Sequence, residues 1–322
     1  MKTLKFRTIL AVLLLFGLNA KTNGQNPDHL RVAHYQLACK PEDVDANIER
    51  VVSGVREAAS ENIDIISFPE SFLTGYFMQA DRARKHSLRI DGPEIKGLLE
   101  KTSHYATTFI VGLNELRGNE LYNTAIIAEQ GKCLGRYSKV FCMDYFTPGL
   151  EFPVFEKKGV KFGVIICADG GFIEPARILA LKGAQIIFAP HYNYIRKEGL
   201  INHFQKVRAD HIARAAENAV WFFRGNSVTK GYDKGLAFEG VGYGDSYLLD
   251  PLGEIVVRSQ RHVECMITAR IDVGSSLREK PFFDKAGSDS LKSAKALGPL
   301  LMQILDEIES QKKGTLQKER AE

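Results

Sequence analysis

Three residues whose types suit acyl-transfer chemistry stand at the ends of apolar runs in this chain. Glu70 follows Asp64-Ile65-Ile66-Ser67-Phe68-Pro69, Lys139 ends the run that begins at Cys133, and Cys167 follows Val160 to Ile166. A cysteine thiol has an ordinary pKa of about 8.5, so near neutrality it needs a base or a positive charge to attack as thiolate. A carboxylate whose pKa is raised by desolvation can take that proton and later return one to a leaving amine. An ammonium beside them can stabilise both the thiolate and a tetrahedral oxyanion. Each residue alone has an ordinary explanation: a solvated glutamate, a surface lysine, a cysteine that only packs. Together they are the components of acyl transfer.

The elements that would position them follow from hydrophobic period and turn residues. Strands are predicted over Leu30–Leu37, Asp64–Phe68, Thr108–Leu113, Gln185–Ala189, Val220–Arg224 and Met266–Ile271. Hairpins are predicted where Leu121–Ala128 meets Cys133–Val140, where Phe152–Phe155 meets Val160–Ile166, and where Asp245–Leu249 meets Glu254–Val257. Helical spacing covers Asp43–Asn62, Gly92–Ala106, Ile173–Lys182 and His203–Asn218. Strands and helices mix without strict alternation, so the expected architecture is α/β, with helices packed on sheets around one large core. On such a fold the three strand ends could converge at one rim, where loops commonly build sites.

The 322 residues, 44% hydrophobic and 25% charged, belong to the soluble globular class. At the amino terminus Lys2, Lys5 and Arg7 precede an apolar run from Ile9 to Leu18 that is too short to span a bilayer, and Thr22 and Gly24 suit a cleavage site. Residues 1–24 are therefore expected to be a signal peptide, and the mature chain to be exported to a periplasm or medium. That segment holds Lys2, Lys5, Arg7 and Lys21 and no acidic residue, so its removal takes the formal charge from +4 to zero. Nucleic acid and an anionic membrane lose their electrostatic case as partners. Residues 25–282 are expected to form the catalytic domain, and 283–322 a peripheral helical tail. The five cysteines are widely spaced and lack a C-x-x-C, which speaks against a zinc site or a dense disulfide framework.

The segments Phe68-Pro69-Glu70, Tyr137-Ser138-Lys139-Val140 and Cys167-Ala168-Asp169-Gly170-Gly171, continuing to Arg177, resemble in order and spacing the three signature blocks of the nitrilase superfamily, the carbon-nitrogen hydrolases. Leu121–Ala125, Arg214–Asn218 and Asp250–Glu254 extend the resemblance from about Arg31 to Ile271. It implies a four-layer αββα sandwich, Glu70 as general base, Lys139 as oxyanion stabiliser, Cys167 as nucleophile, and the Ala168 backbone amide as second oxyanion donor. It implies no metal and no organic cofactor, and assembly into a homodimer or larger homo-oligomer. Ala168-Asp169 stands where true nitrilases commonly carry Trp-Glu, which points to the amidase and carbamoylase branches. The expected substrate is then a small carboxamide or N-carbamoyl compound, cleaved through a thioester with release of ammonia or an amine.

Two departures from the family pattern bear on the site. Many members carry a further Glu before the Pro-Gly that follows the lysine; here the loop from Lys139 to Gly149 is short, and Asp144 is the only acid available to replace it. Family members often place Phe-Pro-Glu after the cysteine, where this chain has Phe172-Ile173-Glu174-Pro175, and Glu174 is expected to pair with Arg177 on the following helix. Tyr76 and Asn193, in loops after strand-like runs, are candidates for lining the pocket. Other readings are a nitrilase or N-acyltransferase on the same fold, a papain-type Cys/His hydrolase, for which no C-G-S-C-W-like block is present, and a non-catalytic binding protein, since fold does not fix function.

Overall fold

The computed structural model describes residues 29–229, 233, 235–236, 238–273 and 295–308. The expected signal peptide and the expected boundary at residue 282 lie outside them. In chain order the strands are β1 (His29–Gln36), β2 (Ile65–Ser67), β3 (Thr108–Arg117), β4 (Glu120–Glu129), β5 (Lys132–Ser138), β6 (Val154–Lys157), β7 (Val160–Val164), β8 (Ile186–Pro190), β9 (Tyr194–Ile195), β10 (Trp221–Gly225), β11 (Val228–Thr229), β12 (Val241–Tyr243), β13 (Tyr247–Leu249), β14 (Ile255–Arg258) and β15 (Cys265–Asp272). The helices are α1 (Val44–Ser60), α2 (Ala80–Lys85), α3 (Pro93–Lys101), α4 (Ile173–Leu181) and α5 (Leu200–Asn218). Residues 295–308 form a further, exposed helix within the expected tail.

Two six-stranded sheets, ordered β15-β1-β2-β3-β4-β5 and β14-β13-β10-β8-β7-β6, carry the fold. Each has a parallel centre, β1-β2-β3 in one and β7-β8-β10 in the other, flanked by antiparallel strands. Central strands covered on both faces read as continuous apolar runs, which is why Ile65-Ile66 and Ile186-Ile187-Phe188-Ala189 show no alternation. Leu30, Val32, Ile65, Ile110 and Ile127 of the first sheet share a core with Phe162, Val164 and Phe188 of the second. On the far side of the first sheet, α1 and α3 bury Val51, Val55 and Leu98 with Ile66, Phe109 and Val111. On the far side of the second, α4 and α5 contribute Ala176, Leu179 and Ala215. The layers are αββα, as the resemblance implies.

Sequence and structure differ where periodicity carries no signal. The six-residue α2 and the small sheet β11-β12-β9 are too short to show a period. Helix α3 stops at Lys101 rather than Ala106, with Thr102 as its C-cap and the Thr102 hydroxyl donating to the Leu98 carbonyl at 2.8 Å. Strand β3 runs on to Arg117, since its hairpin register with β4 holds from Phe109↔Ala128 to Arg117↔Glu120.

The junction between the sheets is pinned by a buried imidazole on β1. His34 Nδ1 lies 2.9 Å from Ser67 Oγ and Nε2 lies 3.1 Å from the Asn226 carbonyl, so the neutral ring donates through Nε2 and accepts from the serine. Burial lowers its pKa to about 3. The unfolded chain protonates this residue below about pH 6.5 while the folded chain does not, so the stabilisation is complete above that pH and is lost as pH falls toward 3. Urea unfolding at a series of pH values checks this. Replacing His34 by Gln should lower stability at neutral pH and make the acid-side decline shallower; an equally steep decline would show that His34 does not carry it.

Candidate active site

The three sequence-predicted residues meet at one rim of the sandwich. Glu70 lies in the loop after β2, Lys139 directly follows β5, and Cys167 follows β7 through Ile165-Ile166. Glu70 is fully buried and Lys139 is 4% exposed. The Lys139 ammonium donates to Glu70 Oε1 at 2.7 Å, and Asn123 Nδ2 donates to the same oxygen at 2.7 Å. The backbone N–H of Tyr192 donates to Glu70 Oε2 at 2.9 Å, and the carboxylate's charge acts on the Cys167 thiol. The carboxylate thus bonds the ammonium directly, and its charge acts on the thiol.

Two glycines allow this approach. A Cβ at Gly112 on β3 would lie 2.3 Å from Ser71 N and 2.9 Å from the Glu70 carbonyl carbon, so only glycine lets the Glu70 loop rest on the strand. A Cβ at Gly149 would lie 2.1 Å from the Ser138 carbonyl oxygen, and without it the Gly149 N–H reaches the Lys139 carbonyl at 2.9 Å. The short loop 140–148 is thereby closed at its base.

Cys167 opens a 3-10 turn, Cys167–Gly171, with a left-handed φ of +48°. A non-glycine residue there is strained, and such strain is kept where the surroundings over-determine it. Asp169 supplies the restraint. Its Oδ2 accepts from the Tyr137 hydroxyl at 2.7 Å and from Ile166 N at 3.1 Å, while Oδ1 accepts from Val140 N at 3.2 Å and Phe141 N at 2.9 Å. One buried carboxylate therefore ties the cysteine turn to the backbone that carries Lys139.

Burial pushes the Cys167 thiol up to about 12, and the Glu70 charge adds to the rise while Lys139 opposes it. Burial works to lower the Lys139 pKa, but the charges of Glu70, Cys167 and Tyr76 overcome it and hold the ammonium well above the ordinary lysine range. In the resting site the sulfur keeps its proton and the lysine its charge. A base is then required for attack, and the Glu70 carboxylate, whose charge acts on the thiol, is the candidate this site offers.

The other sequence-predicted residues divide. Tyr76 is stacked on Tyr192 with ring centroids 5.3 Å apart, and the charges of Lys139, Glu70 and Cys167 all act on its hydroxyl. Asn193 is buried, and its Nδ2 lies 3.5 Å from Cys167 Sγ. Ala168 is exposed at the start of the cysteine turn. Asp144 is not brought to the lysine: it is exposed, and among the described residues no ion pair or hydrogen bond joins it to Lys139, whose ammonium is held by Glu70. The expected Glu174–Arg177 pair is also replaced, because Arg177 Nε turns to Asn218 Oδ1 on α5 at 2.5 Å. Sequence reasoning missed Asn123 and Asp169 as site residues. The period of β4 puts Asn123 on the inward face with Ala125 and Ile127, a polar residue in an apolar register, which is the signal that could have found it.

A buried carboxylate–ammonium pair beside a half-buried thiol on an αββα sandwich fits an enzyme of the thiol-dependent class that cleaves carbon–nitrogen bonds. A family model described as carbon-nitrogen hydrolase matches residues 31–278, and the chain belongs to that family. It is 31% identical over 255 residues to a probable nitrilase of Schizosaccharomyces pombe, covering 75% of this chain and 88% of the relative. It is 30% identical over 265 residues to the N-carbamoylputrescine amidase of Arabidopsis thaliana, covering 75% and 86%. The crystal structure of a carbon-nitrogen hydrolase from Helicobacter pylori shares the fold with a TM-score of 0.68 at 24% identity, covering 76% of this chain and 90% of that one.

Because Glu70 and Lys139 neutralise each other in a buried site, removing one should leave the other charge uncompensated, at a cost of about 3–5 kcal/mol in stability. Glu70→Gln and Lys139→Met are each expected to lose most activity and to unfold at lower urea. The double variant should lose less stability than the two single losses added, and its kcat/KM should fall far less than their product. Additive stabilities and multiplicative rates would mean the two side chains act independently.

Proposed function

We propose that this protein hydrolyses a small linear carboxamide or N-carbamoyl compound, with Cys167 as nucleophile, Glu70 as general base and acid, and Lys139 as oxyanion stabiliser. The observation that carries the reading is the buried Glu70 carboxylate bonded to the Lys139 ammonium, with the charges of both acting on the Cys167 thiol. In the first half-reaction the thiol proton passes to Glu70 as sulfur bonds to the substrate carbonyl carbon. The carbonyl oxygen becomes an oxyanion facing the Lys139 ammonium and the Ala168 amide. Collapse breaks the carbon–nitrogen bond, Glu70 returns the proton to the leaving nitrogen, and a thioester remains. In the second half, water gives a proton to Glu70 and attacks the thioester; collapse breaks the sulfur–carbon bond, and the proton returns to sulfur.

Tyr76 and Asn193 border the sulfur in this reading and orient the acyl group. Similarity to the Arabidopsis N-carbamoylputrescine amidase supports the amide and carbamoyl branch. Export through residues 1–24 is part of the same proposal, supported by the charged, apolar and small-residue order of that segment. Assembly into a homo-oligomer is supported by the exposed Ile173, Ile178 and Leu181 on α4 and Ile201 and Ile212 on α5.

Ammonia release over a panel of carboxamides, N-carbamoyl compounds and nitriles tests the substrate class. Intact-mass spectrometry of the acid-quenched enzyme with a turned-over amide should show an acyl adduct that peptide mapping assigns to Cys167, and Cys167→Ala should show neither adduct nor activity. An adduct on Cys142 or Cys39, or full activity in Cys167→Ala, would overturn the assignment. Native protein whose amino-terminal sequence starts at Met1 would contradict export.

A further inference from the structure

Asn193 can donate to the Cys167 sulfur only while its side-chain amide is held one way round. Its Nδ2 faces Sγ at 3.5 Å, and its Oδ1 faces Arg224 Nη2 at 2.6 Å and the Tyr243 hydroxyl at 3.2 Å. The two ends of an amide are nearly equal in size, so shape alone would admit the reverse orientation. Arginine, however, has donors and no acceptor. Turning the amide would set Nδ2 against the guanidinium and aim a carbonyl oxygen at the sulfur.

Arg224 is itself an unusual residue for its place. It lies on β10, next to the fully buried Phe222 and Phe223, and is 1% exposed. Burying a guanidinium is costly unless it is paired. The Asp245 carboxylate nearby is taken by Arg208 at 2.8 Å, Arg258 at 2.6 Å and Arg261 at 3.2 Å, and among the described residues no carboxylate is ion-paired with Arg224. Its Nη1 instead donates to the carbonyls of Gly244 and Asp245, successive residues with φ of +71° and +65°. Its Nη2 donates to Tyr243 at 2.9 Å as well as to Asn193. The strained turn thus fixes the guanidinium, and the guanidinium fixes the amide.

We propose that Arg224 is a positioning residue for the nucleophile: through Asn193 it holds and polarises a hydrogen-bond donor aimed at the Cys167 sulfur. A cation bonded to the amide oxygen strengthens the N–H at the other end, and that donor gains most as negative charge develops on sulfur while the proton moves to Glu70. The inference rests on Cys167 being the nucleophile of the proposed hydrolysis.

The test is a double-variant cycle of Arg224→Met and Asn193→Ala on the full chain, with Arg224→Lys as the conservative variant. Two readouts are taken: kcat and KM on the best amide of the panel, and the rate of Cys167 alkylation by iodoacetamide at one pH, followed by peptide mass. Arg224→Met and Asn193→Ala should each lower kcat and the alkylation rate by roughly ten- to a hundredfold, with a smaller change in KM. The double variant should be no slower than the slower single, and Arg224→Lys should recover part of the loss. Multiplicative losses, a change confined to KM, or wild-type alkylation in a folded Arg224→Met would overturn the proposal. Should Arg224→Met not fold, the cycle is run with Arg224→Lys and Tyr243→Phe, and wild-type alkylation in both would overturn it equally. Alkylation needs no substrate, so a wild type that hydrolyses no amide would fail the proposed function while leaving this inference to its own result.

Discussion

The buried ion pair between Glu70 and Lys139 is the interaction on which the rest of the site depends. Taking two charges out of water is expensive, and the pair is supported by further donors: Asn123 and the Tyr192 amide complete the carboxylate. That pairing has a chemical consequence. With its charge balanced by Glu70, Lys139 does not by itself turn Cys167 into a resting thiolate, and burial together with the Glu70 charge keeps the thiol protonated. In the proposed hydrolysis the nucleophile is therefore generated during attack, by transfer of its proton to Glu70.

Around this pair the fold acts as a set of short ties between segments distant in sequence. Asp169 joins the cysteine turn to the start of the loop after β5, Gly112 lets the Glu70 loop lie on β3, and Gly149 closes the loop behind Lys139. On the other side of the sulfur, Arg224 and Tyr243 fix the Asn193 amide. None of these residues need touch substrate. In the proposed hydrolysis each sets the position of one that does.

The two large sheets and the helices α1, α4 and α5 were legible in the sequence because their buried faces repeat with a regular period or, for β2 and β8, as unbroken apolar runs. Glu70, Lys139 and Cys167 were legible because each ends such a run and because the three blocks occur in order. Asp169 was hidden in plain sight inside the cysteine block: its role lies in bonds to backbone amides of another segment, and backbone partners leave no mark in side-chain types. Arg224 was absorbed into a strand as its last residue, although a charge after Trp221-Phe222-Phe223 conflicts with burial. Asp144 misled because composition names the only acid in a loop but not the direction in which the loop turns.

The central claim is that the resting nucleophile is a thiol and not a thiolate paired with Lys139. The difference in ultraviolet thiolate absorbance between the wild type and Cys167→Ala, followed from acid to alkaline pH, measures it directly. Burial and Glu70 raise this thiol, so the account predicts no thiolate signal from Cys167 below about pH 9. A signal that titrates in near pH 6 or 7, well below the ordinary thiol, would show that Lys139 holds a preformed thiolate and would contradict the account.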